Sequence, residues 1–523
     1  MESATTPPLD ATPIDVGQRV KHSSTSRQIR GSSLMLVGRS LSMAVNAVVQ
    51  VFLIRYLAKP EYGAFAYALS IVNVAQMVAS LGLDRSISRF VPIYHEQHNY
   101  NKMFGTILLG LGTILSLGLA MIVLVYGLQG FIAQSFINDQ LAIALLLILI
   151  VLAPVQALDD LLVSLFAIFA SPRSIFIRKY VLAPSLKLVV VVLLILLHSG
   201  VIFLTFGYLA SGALGVAVYS VILFRVLRKQ GLFQHFNLRD INVPAREIFA
   251  FTIPLLTTDL LYVVMNSMDA VLLGHYGGAS DVAAFRSVQT GAGLNQLAMM
   301  SFQTLFTPVA ARMLARKNYD GINDLYWQTA IWMSVISFPI FALTFALAQP
   351  LTILLYTEKY ASSAPILALL SLGYYFSTAL GFNGLTIRVF GKMRYIVIIN
   401  ILAGVVNLAI NLLLIPRYGA LGAAIGTCGT MIVHNILKQL GLRSCEGMKV
   451  FEWRYLKLYT VVAVSAIGLL FIQSITSAHY YVGFVLVALV SLFVMVINRK
   501  SLNVQEMFPE LLRFPLVRKI FGE

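Results

Sequence analysis

The stretch LSMAVNAVVQVFLIRYLAKPEYGAF (Leu41–Phe65) returns 220 residues later as LYVVMNSMDAVLLGHYGGASDVAAF (Leu261–Phe285). Without a gap, this register pairs Leu41 with Leu261, Asn46 with Asn266, Val51 with Val271, Leu53 with Leu273, Tyr56 with Tyr276, Ala64 with Ala284 and Phe65 with Phe285. Apolar coincidences are frequent in an apolar chain, so the asparagine, tyrosine and phenylalanine matches carry the weight. They imply a chain built from two related halves.

Outward from these two stretches the chain is a ladder of apolar segments. Hydrophobic residues make up 58% of it and charged residues only 11%, with a mean hydropathy of +0.82, values that exclude an ordinary soluble protein. A bilayer-spanning helix needs roughly 20 apolar residues. Only a helix satisfies its own backbone hydrogen bonds within one segment. On that basis about fourteen membrane helices are expected, at 33–57, 62–83, 103–128, 141–168, 178–197, 201–226, 248–275, 282–307, 326–348, 363–388, 394–415, 418–441, 455–475 and 478–498. The expected fold class is an all-α polytopic membrane protein. Residues 1–30 read as a disordered cytoplasmic tail and lack the apolar core of a signal peptide. Residues 31–228 form an N-terminal six-helix lobe and 229–247 a cytoplasmic linker, read as an interfacial amphipathic helix. A C-terminal six-helix lobe covers 248–444, two extra helices 445–498, and a cytoplasmic tail 499–523. Six crossings per half insert both lobes in the same orientation, which implies a pseudo-two-fold axis along the membrane normal and a central cavity.

The 38 lysines and arginines sort against this ladder. Alternate gaps hold only Lys59, Lys359 and Arg417; Arg39, Arg55, Lys187 and Arg286 fall within segments; the remaining 31 lie in the other gaps and the termini. Basic loops stay cytoplasmic, so both termini are expected inside a cytoplasmic (inner) membrane. The same pattern explains the net charge of +16 without nucleic acid. Two cysteines make no disulfide framework. His95 and His98 lack a third ligand, no P-loop is present, and neither a metal, a cofactor nor an enzymatic activity is expected.

Charges within segments cost about 2.5–3.5 kcal/mol each and should face a cavity or a partner. Arg55, Lys187, Asp159 and Asp160 fit snorkelling near helix ends. Arg39, Ser42 and Asn46 share one helical face, as do Asp259, Tyr262, Asn266 and Asp269. The 220-residue register sets Arg39 opposite Asp259. Both faces are therefore expected to line the cavity, with Arg39 and Asp259 pairing in one conformation. Lys187 joins them as a candidate cavity residue. Arg85 and Arg89 mark the inner mouth, and Asp269 with Arg286 an outer gate or a local ion pair.

Several motifs resemble one family. RYLAKPEYGAFAYALSI (Arg55–Ile71) and SLGLDRSISRFVPIY (Ser80–Tyr94) look like the opening of the bacterial polysaccharide transporters. These are O-antigen-flippase-like members of the multidrug/oligosaccharidyl-lipid/polysaccharide exporter superfamily. FTIPLLTTDLLYVVMNSMDAVLLGHYG (Phe251–Gly277), FTPVAARM (Phe306–Met313) and LLIPRYGALGAAIGT (Leu413–Thr427) are similar to the family's seventh, eighth and eleventh-to-twelfth helices. The resemblance implies alternating-access flipping of a polyprenyl-diphosphate-linked oligosaccharide. It also implies membrane lipids and a polysaccharide polymerase or export machinery as partners. Basic residues in a hydrated cavity suit such an anionic headgroup. A lipid II flippase of cell-wall synthesis shares that chemistry. A cation-coupled drug exporter of the same superfamily wants an acidic first helix, and residues 33–57 contain no Asp or Glu.

Overall fold

The computed structural model describes residues 38–135, 137, 139–170, 176–237, 239–476 and 480–502; at 135, 254, 255, 257–262, 264–266, 304, 305, 476 and 480 only the backbone is described. The 1–30 tail, most of the 499–523 tail and the side chains of Asp259, Tyr262 and Asn266 thus lie outside the description.

The described chain is helical, with no strand among the described residues. Among the described residues, nine stretches are long and apolar enough to cross a membrane. Further helices lie outside that set, including Ala245–Tyr276 and the run from Ala279 to Ala315. The protein is an integral, multi-pass membrane protein. The helical stretch Met393–Gly441 is broken by non-helical backbone at Gly419, just after Pro416. Its two arms return antiparallel: Tyr395 donates to the Leu437 carbonyl at 2.6 Å, His434 and Asn400 meet at 2.9 Å, and Asn407 donates to Thr430 at 3.4 Å.

Three apolar cores organise the helices. One lies mainly in the N-terminal half, with Leu83, Phe90, Leu161, Phe166 and Leu223, and is joined by Ile248 from the start of helix Ala245–Tyr276. A second is confined to the C-terminal half and gathers Trp327, Phe338, Phe382, Leu458 and Val487, so the last two helices pack on this half. The third draws from both halves: Leu53, Ile54, Phe65, Leu149 and Leu204 meet Leu273, Val282, Phe285, Leu367 and Ile415. The halves are fused at the end that carries Lys59, Gly277 and Lys359; at the end that carries Arg89 and Lys317 two cores stay separate, with the start of helix Ala245–Tyr276 packed on the N-terminal one.

The two stretches of the internal repeat meet at the fused end. Gly63 lies so close to the backbone of Ala279 that a Cβ would stand 1.7 Å from its carbonyl oxygen. Gly274 is pressed in the same way on the ring of Tyr67, at 2.5 Å. Gln50 donates to the carbonyl of Arg286 at 3.2 Å and sits 3.3 Å from the Tyr62 hydroxyl.

Two expectations need correction. Among its described residues the 229–247 linker holds no amphipathic helix of its own: a single 3-10 turn, Leu232–His235, precedes irregular chain packed against the N-terminal half, and helix Ala245–Tyr276 begins at its end. There Phe104 meets Phe236 with ring centroids 4.9 Å apart, and Gly105 leaves room for the Asn242 carbonyl. Arg178, sorted above as a loop charge, is 4% exposed within the π-helical turn Phe176–Leu182 that opens the fifth segment. The wider i-to-i+5 winding there departs from the α-helical register on which a sequence reading of its face would rest. Arg178 lies over the Tyr219 ring at 3.7 Å and pairs with Asp159 at 2.5 Å.

Candidate functional site

At the fused end, three of the exceptions to the charge pattern, Arg55, Lys59 and Lys359, form one clasp. The Arg55 guanidinium, at the end of the first helix, donates to the carbonyls of Leu354 and, at 2.8 Å, Leu355 near the end of helix Ala348–Tyr356. Lys359 reciprocates with bonds to the carbonyls of Arg55 at 3.0 Å and Leu57 at 2.7 Å. Each half thus places a cation at the C-terminal carbonyls of a helix from the other, where unsatisfied acceptors and the helix dipole favour positive charge. Lys59 joins through Ser362 at 3.3 Å, and both lysines approach the ring of buried Tyr360. Arg55 therefore bridges the halves instead of snorkelling. Arg286 adds a second bridge, donating to Ser70 of the N-terminal half at 2.9 Å and to Gln289 at 2.6 Å.

The C-terminal half holds a polar cavity of about 370 Å³. It opens where one membrane helix is interrupted between Ala364–Ala379 and Asn383–Val389. Gly381 takes a φ of +75° at the break, a conformation that L-residues avoid. The freed carbonyls are covered by tyrosine hydroxyls: Tyr459 donates to Ala379 at 2.8 Å and Tyr326 to Leu380 at 2.5 Å. Irregular backbone at membrane depth is tolerated where it lines such a cavity.

At one end of the cavity lies Asp269, 2% exposed. Asn411 donates to one carboxylate oxygen at 2.5 Å and Thr427 to the other at 2.8 Å. Asn411 also donates to Asn407 at 3.2 Å. At the other end lie Arg388 and Lys438. Asn400, His434 and Asn435 line the wall between. Thr427 and Lys438 are eleven residues apart on one helix, so the two ends are separated by about 16 Å.

In the N-terminal half, Asp160 accepts from Gln76 at 2.7 Å, beside a pocket also lined by Asn73, Asp84 and Arg85. Arg85 and Arg89 are both exposed at the Arg89 end, and Arg89 lies 4.3 Å from the Phe251 ring. Lys187 is half-buried with its ammonium 5.6 Å from the Tyr208 ring. Arg39 and Asn46 are exposed on the first helix, where Asn46 donates to the Ser42 carbonyl at 2.8 Å. Asp269 and Arg286 have the separate hydrogen-bond partners given above, yet their charges still interact. The structure thus brings Asp269 into a polar cavity and Arg286 to the seam between halves, and keeps Arg39 and Lys187 apart from both in the other half.

Sequence reasoning missed Asn400, Asn407, Asn411, Thr427, Thr430, His434 and Lys438. Their signal was present. Asn400, Asn407 and Asn411 recur at steps of seven and four, and Thr427, Thr430, His434 and Lys438 at three, four and four. Both patterns mark a single polar helix face within apolar segments.

A family model described as polysaccharide biosynthesis protein matches residues 52–365. The capsular polysaccharide biosynthesis protein CapF of Staphylococcus aureus is 23% identical over 76% of this chain and 94% of its own. The succinoglycan biosynthesis transport protein ExoT of Rhizobium meliloti is 24% identical over 68% of this chain and 67% of its own. Among solved structures, the lipid II flippase MurJ in an inward closed conformation superposes with a TM-score of 0.68 at 17% identity, over 91% of this chain and 99% of that one. An inward-facing multidrug resistance transporter of the same exporter superfamily gives 0.62 at 16% identity, over 77% of this chain and 94% of that one. The fold is the one shared by these transporters, and the chain belongs to the polysaccharide biosynthesis protein family.

Proposed function

We propose that this protein flips a polyprenyl-diphosphate-linked oligosaccharide from the cytoplasmic to the outer leaflet of the cell membrane by alternating access. The observation that carries the reading is the unequal packing of the two halves. They share a core and a reciprocal clasp at the Lys59 end; at the Arg89 end the main cores stay separate, and only the start of helix Ala245–Tyr276 packs across, through Ile248, Phe251 and Thr252. The Arg89 end also carries the basic loops, so by charge bias it faces the cytoplasm. This arrangement is closed outward and suits loading from inside, where lipid-linked precursors are assembled. In this reading the fourteen expected helices span the bilayer with both termini cytoplasmic. Arg85 and Arg89 meet the anionic headgroup at the mouth, and Arg39 and Lys187 meet it deeper in the N-terminal half.

Family membership and relatives concerned with capsular polysaccharide and succinoglycan support the glycan class. The likeness to a lipid II flippase supports a second reading, flipping of a cell-wall precursor, which uses the same diphosphate chemistry. Depletion of the protein in its native cells tests both. The first reading expects lipid-linked polysaccharide repeat units to accumulate on the inner leaflet while peptidoglycan synthesis continues. Arrest of peptidoglycan synthesis with lipid II accumulation would select the second. Accumulation of neither would remove both. The charge swap Arg39→Asp with Asp259→Arg tests their pairing: each single variant should lose transport and the swap should recover part of it. No recovery contradicts the pairing.

A further inference from the structure

The cytoplasmic-side end of the C-terminal cavity combines features that surface charge does not require. Lys438 is half-buried, and its stem runs over Gly384, where a Cβ would stand 3.5 Å from its Cδ. Arg388 lines the same cavity, and the two cations repel each other. Among the described residues, neither has a carboxylate within 4.0 Å. Asp269, the one acid among the described cavity-lining residues, is about 16 Å away at the opposite end. Arg388 is exposed and Lys438 half-buried, yet both line one cavity; their mutual repulsion there, without a counter-ion, is what a ligand anion would relieve. The neighbouring loop cations Lys392 and Arg394, exposed like Arg388, lie outside the cavity lining. They satisfy the charge bias of a cytoplasmic loop, whereas Arg388 and Lys438 go beyond it. Asn400, Asn435 and Tyr374 supply amide and hydroxyl groups of the kind that meet sugar hydroxyls.

We infer that this end of the cavity is an anion subsite for the substrate headgroup, with Arg388 and Lys438 gripping a negatively charged group and the amides holding adjoining sugar hydroxyls. The inference rests on the proposed glycolipid substrate. Two sources share the chemistry, the carboxylate of an acidic sugar and the lipid diphosphate.

Titration of the purified full-length protein in detergent with two probes separates them. One is a short-prenyl diphosphate disaccharide ending in glucuronate, and the other is its glucose counterpart. The double variant Arg388→Gln with Lys438→Met should weaken binding of the glucuronate probe at least tenfold. The matched control, Lys392→Met with Arg394→Gln, should stay within twofold of the unmodified protein. Loss confined to the glucuronate probe assigns the site to an acidic sugar, and equal loss with both probes assigns it to the diphosphate. Three outcomes would overturn the inference: the unmodified protein binds neither probe, the cavity variant binds both as tightly as the unmodified protein, or the control loses as much as the cavity variant. Should binding depend on Arg388 and Lys438 while proteoliposomes flip no lipid-linked glycan, the subsite stands and the flippase reading falls.

Discussion

At the scale of single residues, the Arg178–Asp159 pair shows how burial decides the cost of a charge. Arg178 is 4% exposed and Asp159 39% exposed, at a separation of 2.5 Å. Removing one partner of a buried pair leaves an uncompensated charge, at about 3–5 kcal/mol, whereas exposed pairs contribute about 0–1 kcal/mol. The two substitutions should therefore be unequal. Asp159→Asn strands a guanidinium enclosed by Tyr219 and Phe166 and should lower stability by about 3 kcal/mol. Arg178→Met leaves a carboxylate with access to water and should cost about 1 kcal/mol. Thermal unfolding of the two variants in one detergent gives the order; equal losses, or a greater loss for Arg178→Met, would show that Asp159 is the enclosed charge. The pair was not legible in the sequence, because Arg178 stands beside a loop, in a π-helical turn that departs from the α-helical register. Asp269 shows a related limit. Its isolation in an apolar helix was plain, but its partners Asn411 and Thr427 lie 142 and 158 residues away, and only the folded hairpin of the last repeat helices brings them together.

Among the elements, the clasp at the Lys59 end is the part that must open if the halves exchange access. Cations at helix C-termini contribute about 0.3–1 kcal/mol each. Loss of both Arg55 and Lys359 should therefore shift the closed-to-open balance by about 0.6–2 kcal/mol, or about 3- to 30-fold in population. A cysteine in place of Ala279, buried at this seam, reports it. With Cys428 and Cys445 replaced, Arg55→Met with Lys359→Met should speed its labelling by an impermeant maleimide from outside by about that factor. An unchanged rate would mean that the clasp does not hold the seam. Gly63→Leu probes the same seam sterically. With a Cβ only 1.7 Å from the Ala279 carbonyl, the larger side chain cannot fit while the halves stay closed. This variant should label faster still and lose transport; retention of the closed state and full activity would contradict the packing. The repeat made this contact partly readable in advance, since Gly63 and Ala279 fall inside the two aligned stretches. The reciprocal clasp was not, because Arg55 and Lys359 come from unrelated positions and meet only through backbone carbonyls that carry no sequence signature.

Taken as one molecule, the chain is a pair of helical halves whose charge pattern predicts which side is which. Most of its positive charge follows the alternation expected of a membrane ladder, and the exceptions Lys59 and Lys359 belong to the clasp. A C-terminal fluorescent-protein fusion should fluoresce, and alkaline phosphatase inserted at the Lys359 loop should be active. The reverse pattern would invert the orientation and turn the closed end to the cytoplasm. The duplicated halves and their polytopic helical character were legible because bilayer length and charge bias are one-dimensional signals. The C-terminal cavity was not, because it arises from a helix interruption at Gly381 and the convergence of distant polar faces. The central claim is transport of a lipid-linked glycan, and reconstitution tests it most directly. Purified protein in sealed liposomes would be given a fluorescent polyprenyl-diphosphate-linked oligosaccharide, with exposed headgroups scored by an impermeant oxidant or a lectin. The expected result is protein-dependent equilibration of the glycolipid between leaflets, abolished by Gly63→Leu. Equal distribution rates in protein-free and protein-containing vesicles for every lipid-linked glycan tried, together with efflux of a cationic dye, would contradict the account.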